Sequence, residues 1–341
     1  MKIVFFARRF YPQIGGVEKH VMEISKRLVK KNHRVIVITE DHEANRTIEQ
    51  STIHGIEVIR IPVGRDDKFK KFRIWKSLWN VRDVIKDADI IHCHDVFFWY
   101  LPFRLFYPRK SVYTTFHGYE SYPIRRGAIM MRKLSELLSE GNICIGDFIT
   151  KWYGTNPTFV SYGAVDIPSS QYNLSRSKKE SALFFGRLDE QTGSLEYTKA
   201  VQIIKKSYPK FDFLVIGEGQ QRKQIEKVAK VIGFQKNPEK YFQEYRFAFV
   251  SRYLSILEAF AAKRLVFAVY DNPVKEDYLR MAPYTPWIVI AGNAEELADQ
   301  VVYFLGHPEE EKKLVEKAYL WVQKQTWEEM AKIYLNLWEK E

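Results

Sequence analysis

Short runs of consecutive apolar residues alternate with longer segments that carry apolar residues at helical spacing, and the whole pattern occurs twice. This alternation limits the possible folds more than any other feature. Strand-like runs stand at Lys2–Ala7, Val35–Thr39, Glu57–Ile61, Ile90–Cys93, Val112–Thr115, Ile143–Ile145 and Thr158–Val160, with helical segments between most of them. Strands without polar alternation are buried on both faces, and a parallel sheet covered by crossover helices provides that burial. The polar stretch Tyr172–Ser181 (YNLSRSKKES) reads as an interdomain linker. After it come strand Ala182–Phe185, a helix from about Ser194 to Lys206, strand Phe211–Ile216, a helix from about Gln220 to Lys230, a short strand near Val231–Phe234 and strand Phe247–Ser251. The last of these leads into FVSRYLSILEAFAAKRLVFA, Phe249–Ala268, which reads strand, loop, helix, strand. The expectation is an α/β protein of two similar domains, each of the 341 residues' two halves being long enough to bury its own core.

Composition narrows the class. With 46% apolar and 28% charged residues the chain is globular. It has no apolar run long enough to cross a bilayer, and Met1–Phe10 passes directly into a strand pattern, so neither a transmembrane helix nor a secretory signal is expected. Cys93 and Cys144 lie in separate apolar runs, which predicts free thiols and a reducing, cytoplasmic setting. The net charge of +11 is uneven: residues 1–172 hold 27 Lys plus Arg against 18 Asp plus Glu. An anionic partner is expected for that half, and without a nucleic-acid motif, acidic lipid or a phosphorylated substrate ranks above nucleic acid.

In a parallel sheet, ligands bind at the carboxyl ends of the strands. Several such ends carry chemistry: His92, His94 and Asp95; His117 and Gly118; Gly186 and Arg187; Gly217, Glu218 and Gly219. The loop Arg8–Gly16 ends in Gly15 and Gly16 at a helix start, where amides can approach an anion; the other reading is a simple turn. Glu258, near the start of the helix in Phe249–Ala268, is either an acceptor for ribose hydroxyls or a solvated helix residue. His92, His94 and Asp95 suggest a metal site, but no second ligand cluster accompanies them and none is assigned. Phe69–Trp79 (FKKFRIWKSLW) places Phe69, Phe72, Trp75 and Trp79 among lysines and arginines. That composition suits a helix lying on an anionic membrane or one docked on the sheet. Val96–Tyr107 is too short to span a bilayer and reads as a buried helix.

Taken in order, GGVEKH near residue 15, FHG at 116, SYGAVD at 161, FGRL at 185, VIGEG at 215, LEAFAAKRLVFA at 257 and the terminal TWEEMAKIYLNLWEK resemble glycosyltransferase family 4, the retaining nucleotide-sugar enzymes of GT-B fold. The resemblance covers almost the whole chain. It implies two Rossmann-like domains facing across a cleft (acceptor domain 1–172, donor domain 173–325) and a C-terminal helix, 326–341, crossing back to the first. It further implies a metal-independent, hexosyl-type transferase with a nucleotide diphosphate sugar as co-substrate, no cofactor, and a lipid-linked or cell-envelope glycan acceptor at the cytoplasmic membrane face. By position, Gly15, Gly16, Gly186, Arg187, Gly217 and Gly219 would lie on the donor diphosphate, Glu258 on the ribose, and Asp95, His117 and Gly118 on the sugar or acceptor side. His117, Arg187 and Glu258 would form the catalytic set. This sequence departs from the family pattern at Thr192, where a lysine is usual, at Val250, where a second glutamate is usual, and at Lys263 and Leu265, where Gly and Pro are usual. Thr192 would still border the donor, and Arg252 is the candidate replacement cation. A chain so altered is alternatively a GT-B protein that binds nucleotide, glycan or a protein partner without turnover.

Overall fold

The structure is a computed structural model that describes residues 1–13, 15–41, 47–64, 66–167, 178–235 and 238–339. The chain divides into two compact units, Met1–Ser161 with the C-terminal helix Trp327–Trp338, and Tyr162–Thr326. The division therefore precedes the expected linker. Of that stretch, residues 172–177 lie outside the described residues, and Lys178 to Ser181 already belong to a strand.

The first unit contains β1 (Lys2–Ala7), β2 (Arg34–Glu40), β3 (Glu49–Ile53), β4 (Ile56–Ile61), β5 (Ile90–His94), β6 (Ser111–Phe116), β7 (Gly141–Ile145) and β8 (Phe159–Ser161). They form one sheet in the order β3-β4-β2-β1-β5-β6-β7-β8, parallel except for β3, which runs antiparallel to β4. Strand β3 (EQSTI) is largely exposed and polar, so it gives no apolar signal. It exists because His54 and Gly55, at φ 52° and 80°, turn the chain back as a two-residue hairpin whose twist matches the strands. The helices pack aliphatic and aromatic residues onto the sheet, with Ile38, Ile91, Trp99 and Tyr100 among the core.

The second unit contains β9 (Lys178–Phe185), β10 (Asp212–Ile216), β11 (Lys230–Val231), β12 (Tyr245–Phe249), β13 (Leu265–Val269) and β14 (Val289–Ala291). Its sheet runs β11-β10-β9-β12-β13-β14, parallel throughout, over a core that includes Phe184, Val201, Phe249 and Phe267. The helix expected at about 220–230 shrinks to Arg222–Ile225, because Ile225 is the one buried residue in that turn and gives it little face to dock.

Both sheets reverse strand order at their first strand. Strand β1 lies between β2 and β5, and β9 lies between β10 and β12. Connections leaving these neighbours cover opposite faces, so the loops at their carboxyl ends part and leave room for a ligand. In the first unit those ends are Ala7 and His94; in the second, Phe185 and Phe249. The C-terminal helix presents Trp327, Met330, Ala331, Tyr334, Leu337 and Trp338, at helical spacing, to the interior of the first unit.

Candidate active site

In the second unit, the loop after β9 carries Gly186 and Arg187, and the loop after β12 carries Ser251 and Arg252. The Arg187 side chain is 67% exposed, with Nε 3.4 Å from Asp189 Oδ2. Its Nη2 donates to Gln191 Oε1 at 3.3 Å, and Arg252 Nη2 donates to the same oxygen at 2.7 Å. Two guanidinium groups thus converge on one amide at the point where strand order reverses. A polar cavity of about 580 Å³ adjoins Arg187, lined also by Asp189, Gln191 and Gln221 among others. The structure brings together Arg187 and Arg252, the pair in which the second was expected to compensate for a missing lysine.

Three expected donor contacts are placed differently. Thr192 is buried, and its Oγ1 lies 2.6 Å from the Arg187 carbonyl oxygen and 2.9 Å from that of Asp189. Its hydroxyl pins the loop from inside instead of facing outward. A Cβ on Gly217, at φ 150°, would overlap the Gly186 carbonyl oxygen, and one on Gly219, at φ 158°, would overlap that of Leu188. The space these glycines leave open is filled by the neighbouring loop, which is tied across by Gly186 N–H to Ile216 O at 3.0 Å and Leu188 N–H to Glu218 O at 2.9 Å. Their role in the structure is to let the Arg187 loop seat on β10. Glu258 sits on helix Tyr253–Ala261 and is only 6% exposed, which removes the solvated-surface reading. Val250, at the place of the family's second glutamate, is buried at the end of β12.

In the first unit Gly15 is extended and immediately precedes helix Gly16–Lys30, with the Glu18 carboxylate folded back onto it. The space beside the Gly16 α-carbon is open. Strand β5 continues through His94, so His92 and His94 do share one side, with ring centroids 5.1 Å apart. Both nitrogens of His92 are committed to hydrogen bonds. Trp338 Nε1 is 3.1 Å from His92 Nδ1, His92 Nε2 is 2.7 Å from Thr115 Oγ1, Thr115 Oγ1 is 2.9 Å from Tyr334 Oη, and Tyr334 Oη is 2.9 Å from His20 Nε2. Since an indole only donates, the direction of the series follows: His92 accepts at Nδ1 and donates from Nε2, and the hydroxyls pass the donation on to His20 Nε2. Burial holds His20, His92 and His94 well below the ordinary imidazole pKa. Among the described residues, no group of three or more His, Cys, Asp or Glu is arranged to hold a metal ion.

His94 connects this network to His117, with Nδ1 2.9 Å from His117 Nε2. The buried His94 Nε2 has no partner, so the cheaper tautomer keeps its proton on Nδ1, donates to His117 and leaves Nδ1–H of His117 as that ring's donor. Burial lowers the His117 pKa to about 3, making it a neutral hydrogen-bonding group. Asp95 follows β5 in the left-handed region at φ 59° and accepts from His117 N–H at 3.1 Å. Desolvation raises its pKa to about 6 against the pull of Arg132 and the His117 N–H, although its side chain still reaches solvent. Arg132, buried on helix Arg126–Leu137, donates to the Gly118 carbonyl and to Glu120 Oε1, and stacks on Tyr153 with its guanidinium carbon 3.7 Å from the ring centre. Asp95 after β5 and His117 and Gly118 after β6 therefore lie on two adjacent loops tied to one another and supported by Arg132. Sequence reading missed Arg132 and Gln191, ordinary helix and loop residues without a motif, and gave Tyr334 no role of its own although it lies within the terminal TWEEMAKIYLNLWEK.

The basic aromatic stretch divides between the two readings. Helix Lys70–Trp79 docks through Ile74 and Leu78, and Trp75 Nε1 donates to the Phe98 carbonyl at 2.8 Å. Phe69, Phe72 and Trp79 stay exposed, and Trp79 meets Phe106 of helix Phe97–Phe106, where Leu105 and Phe106 are exposed too.

The two doubly wound sheets, the arginine pair at the second switch point and the returning C-terminal helix define the GT-B class of α/β protein. The chain belongs to the corresponding glycosyltransferase family: residues 14–153 match Glycosyltransferase Family 4, and residues 168–321 match Glycosyl transferases group 1. It is 23% identical over 234 residues to the GDP-mannose:cellobiosyl-diphosphopolyprenol alpha-mannosyltransferase of Xanthomonas campestris, a match over 64% of this chain that spans about 60% of the relative's length. Among solved structures it resembles a glycosyltransferase from Rickettsia africae (TM-score 0.72, 16% identity, 99% of this chain and 98% of that one). It also resembles Anabaena HepE in complex with UDP (TM-score 0.70, 14% identity, 98% of this chain and 99% of that one). At these identities the structural likeness establishes the fold.

Proposed function

We propose that the protein is a retaining glycosyltransferase that moves a hexosyl group from a nucleotide diphosphate sugar to a lipid-linked or cell-envelope glycan. The observation that carries this reading is the convergence of Arg187 and Arg252 on Gln191 at the second unit's switch point. As the glycosidic bond breaks, charge develops on the departing diphosphate, and fixed guanidinium groups stabilise it without a metal ion. The acceptor oxygen bonds to the anomeric carbon on the face the phosphate leaves, so configuration is retained, and its proton passes to the leaving phosphate. Glu258 accepts ribose hydroxyls, while His117, with Asp95 and Gly118, serves the sugar and acceptor side. The Xanthomonas relative's name supports a nucleotide-sugar donor and a diphosphopolyprenol-linked acceptor.

Arg187→Ala is expected to weaken nucleoside diphosphate binding ~10–100-fold, the worth of a charge-assisted contact. Glu258→Gln should reduce the ligand-induced rise in Tm while the protein still folds, since an amide of equal size accepts fewer hydrogen bonds than a carboxylate. Calorimetry with UDP, GDP and ADP, together with transfer assays on polyprenyl diphosphate-linked sugars, tests the assignment; unchanged affinities in both variants would reject it. The inward-facing Thr192 and buried Val250 favour a second reading, in which the chain binds nucleotide without turnover. Tight binding with no transfer to any lipid-linked acceptor would select that one.

The reading places the protein at the cytoplasmic membrane face as a peripheral protein. No described helix is long and apolar enough to cross a membrane, and the exposed Phe69, Phe72, Trp79, Leu105 and Phe106 are accompanied by Lys68, Lys71 and Arg82. Each basic residue near an anionic surface contributes about 1 kcal/mol, screened within ~8 Å at physiological salt. Co-sedimentation is expected with anionic but not neutral liposomes, and to weaken at high salt. Equal, negligible pelleting in all conditions would favour a soluble acceptor.

A further inference from the structure

Lys275 is 1% exposed, yet sequence reading gave it no role. It lies in the first turn of helix Pro273–Arg280, capped by Asn272 through the Lys275 N–H to Oδ1 bond of 3.0 Å. Its Nζ donates to the Ser251 carbonyl and stands 4.3 Å from the centre of the Tyr278 ring. Tyr278 is stacked at 3.8 Å on Tyr253, and its hydroxyl accepts the Tyr253 N–H at 2.7 Å, so the roof over the amine is rigid. Ser251 in turn donates from Oγ to the Thr192 carbonyl at 3.0 Å, and Thr192 Oγ1 reaches the Arg187 carbonyl. One series of hydrogen bonds thus runs from Lys275 through the turn that carries Arg252 to the loop that carries Arg187.

The charge around this amine is incompletely balanced. No described carboxylate forms an ion pair with it. Burial and then Arg252 push its pKa well below the ordinary lysine value, and Asp271 and Asp189, acting from a distance, only partly offset them. A carbonyl and an aromatic face are weak compensation for a buried ammonium, and an apolar side chain of similar volume is often as stable in such a place. A bound anion beside Arg252 would supply the missing compensation.

We propose that Lys275 is a positioning residue of the donor diphosphate site, standing in for the lysine absent at Thr192: its amine fixes the Ser251–Arg252 turn and adds positive charge beneath the anion. This inference rests on the donor-site reading above. The test uses the full chain with Lys275→Met and Lys275→Gln, the second retaining an N–H donor for the Ser251 carbonyl without charge. Affinities for UDP, GDP and ADP, and for the matching nucleosides in competition, are measured by calorimetry, with Tm recorded for each variant. The expected result is a loss of about tenfold for the diphosphate in both variants, corresponding to roughly 1.4 kcal/mol, with nucleoside affinity unchanged and Tm maintained in Lys275→Gln. Unchanged diphosphate affinity in Lys275→Gln, or an equal fall for diphosphate and nucleoside, overturns the proposal and makes Lys275 a packing residue. A parent protein that binds none of the three diphosphates overturns the donor-site reading itself, and this inference with it.

Discussion

Lowering the pH from 7.5 to 5.5 is expected to destabilise the first unit by about 4–5 kcal/mol, a large share of the stability of an ordinary domain. His20, His92 and His94 are buried and His117 is hydrogen-bonded to His94, and desolvation depresses the folded pKa of all four below the unfolded one near 6.5, that of His117 to about 3. A depressed pKa contributes stability above the unfolded value and loses it as pH falls, because the unfolded chain binds the proton first. Four such groups give a slope that approaches about 5 kcal/mol per pH unit well below pH 6.5 and is about half that at 6.5. Geometry adds to the cost: a proton on His92 Nδ1 would face the indole N–H of Trp338, setting donor against donor across 3.1 Å. Asp95 acts in the opposite sense, since its pKa is raised to about 6, but by pH 5.5 it returns less than ~1 kcal/mol even before solvent screening. Thermal unfolding of the full chain at pH 7.5, 6.5 and 5.5 should show Tm falling steeply over the last interval. His92→Gln should make that fall shallower. A Tm that stays level from 7.5 to 5.5 would mean that these rings are solvated or already charged.

Gly217→Ala is expected to cost more than ~3 kcal/mol and to abolish nucleotide binding with it. The residue combines φ 150° with a Cβ position that overlaps the Gly186 carbonyl oxygen and comes within 3.0 Å of its carbon. The obstacle is backbone, so no side-chain rotamer relieves it. Either β10 or the Gly186–Arg187 loop must move, and the loop is the part that positions Arg187. Gly306→Ala is the matched control: it lies in helix Ala294–Gly306, with nothing within 4 Å of its would-be Cβ, and should be neutral or stabilise by less than ~1 kcal/mol. Urea unfolding and calorimetry on both variants check the pair. If Gly217→Ala keeps parental stability and affinity, the two loops are not in the contact described.

Much of the second unit's candidate site was legible as a set of positions because its signals are local. Gly186 and Arg187 follow a run of apolar residues, and Glu258 stands in a helix between two strands, so position in the alternation was enough to nominate them, although the helix begins at Tyr253 and Glu258 lies in its second turn, not near its start. What local reading could not supply was the direction each group faces. Thr192 was placed on the right loop, but its hydroxyl turns inward to carbonyls of that same loop, a matter of turn geometry. Gly217 and Gly219 read as small residues that a phosphate can meet, and the space beside their α-carbons is occupied by a neighbouring loop.

By itself the sequence determined the two parallel-sheet units, the helix Trp327–Trp338 and most strand positions, since these follow from which residues along one segment must be buried. It missed β3, whose residues are exposed and which is held by hydrogen bonds to β4, and it put the boundary between units beyond Ser161, because a change of packing partner leaves no trace in local composition. The series from Trp338 through His92, Thr115 and Tyr334 to His20, and the link from Lys275 through Ser251 to Thr192, were decided only by tertiary structure. Periodicity reports that a face is covered, but not by what. A hydrogen bond between residues 314 positions apart, as between His20 and Tyr334, has no characteristic spacing that a sequence could display.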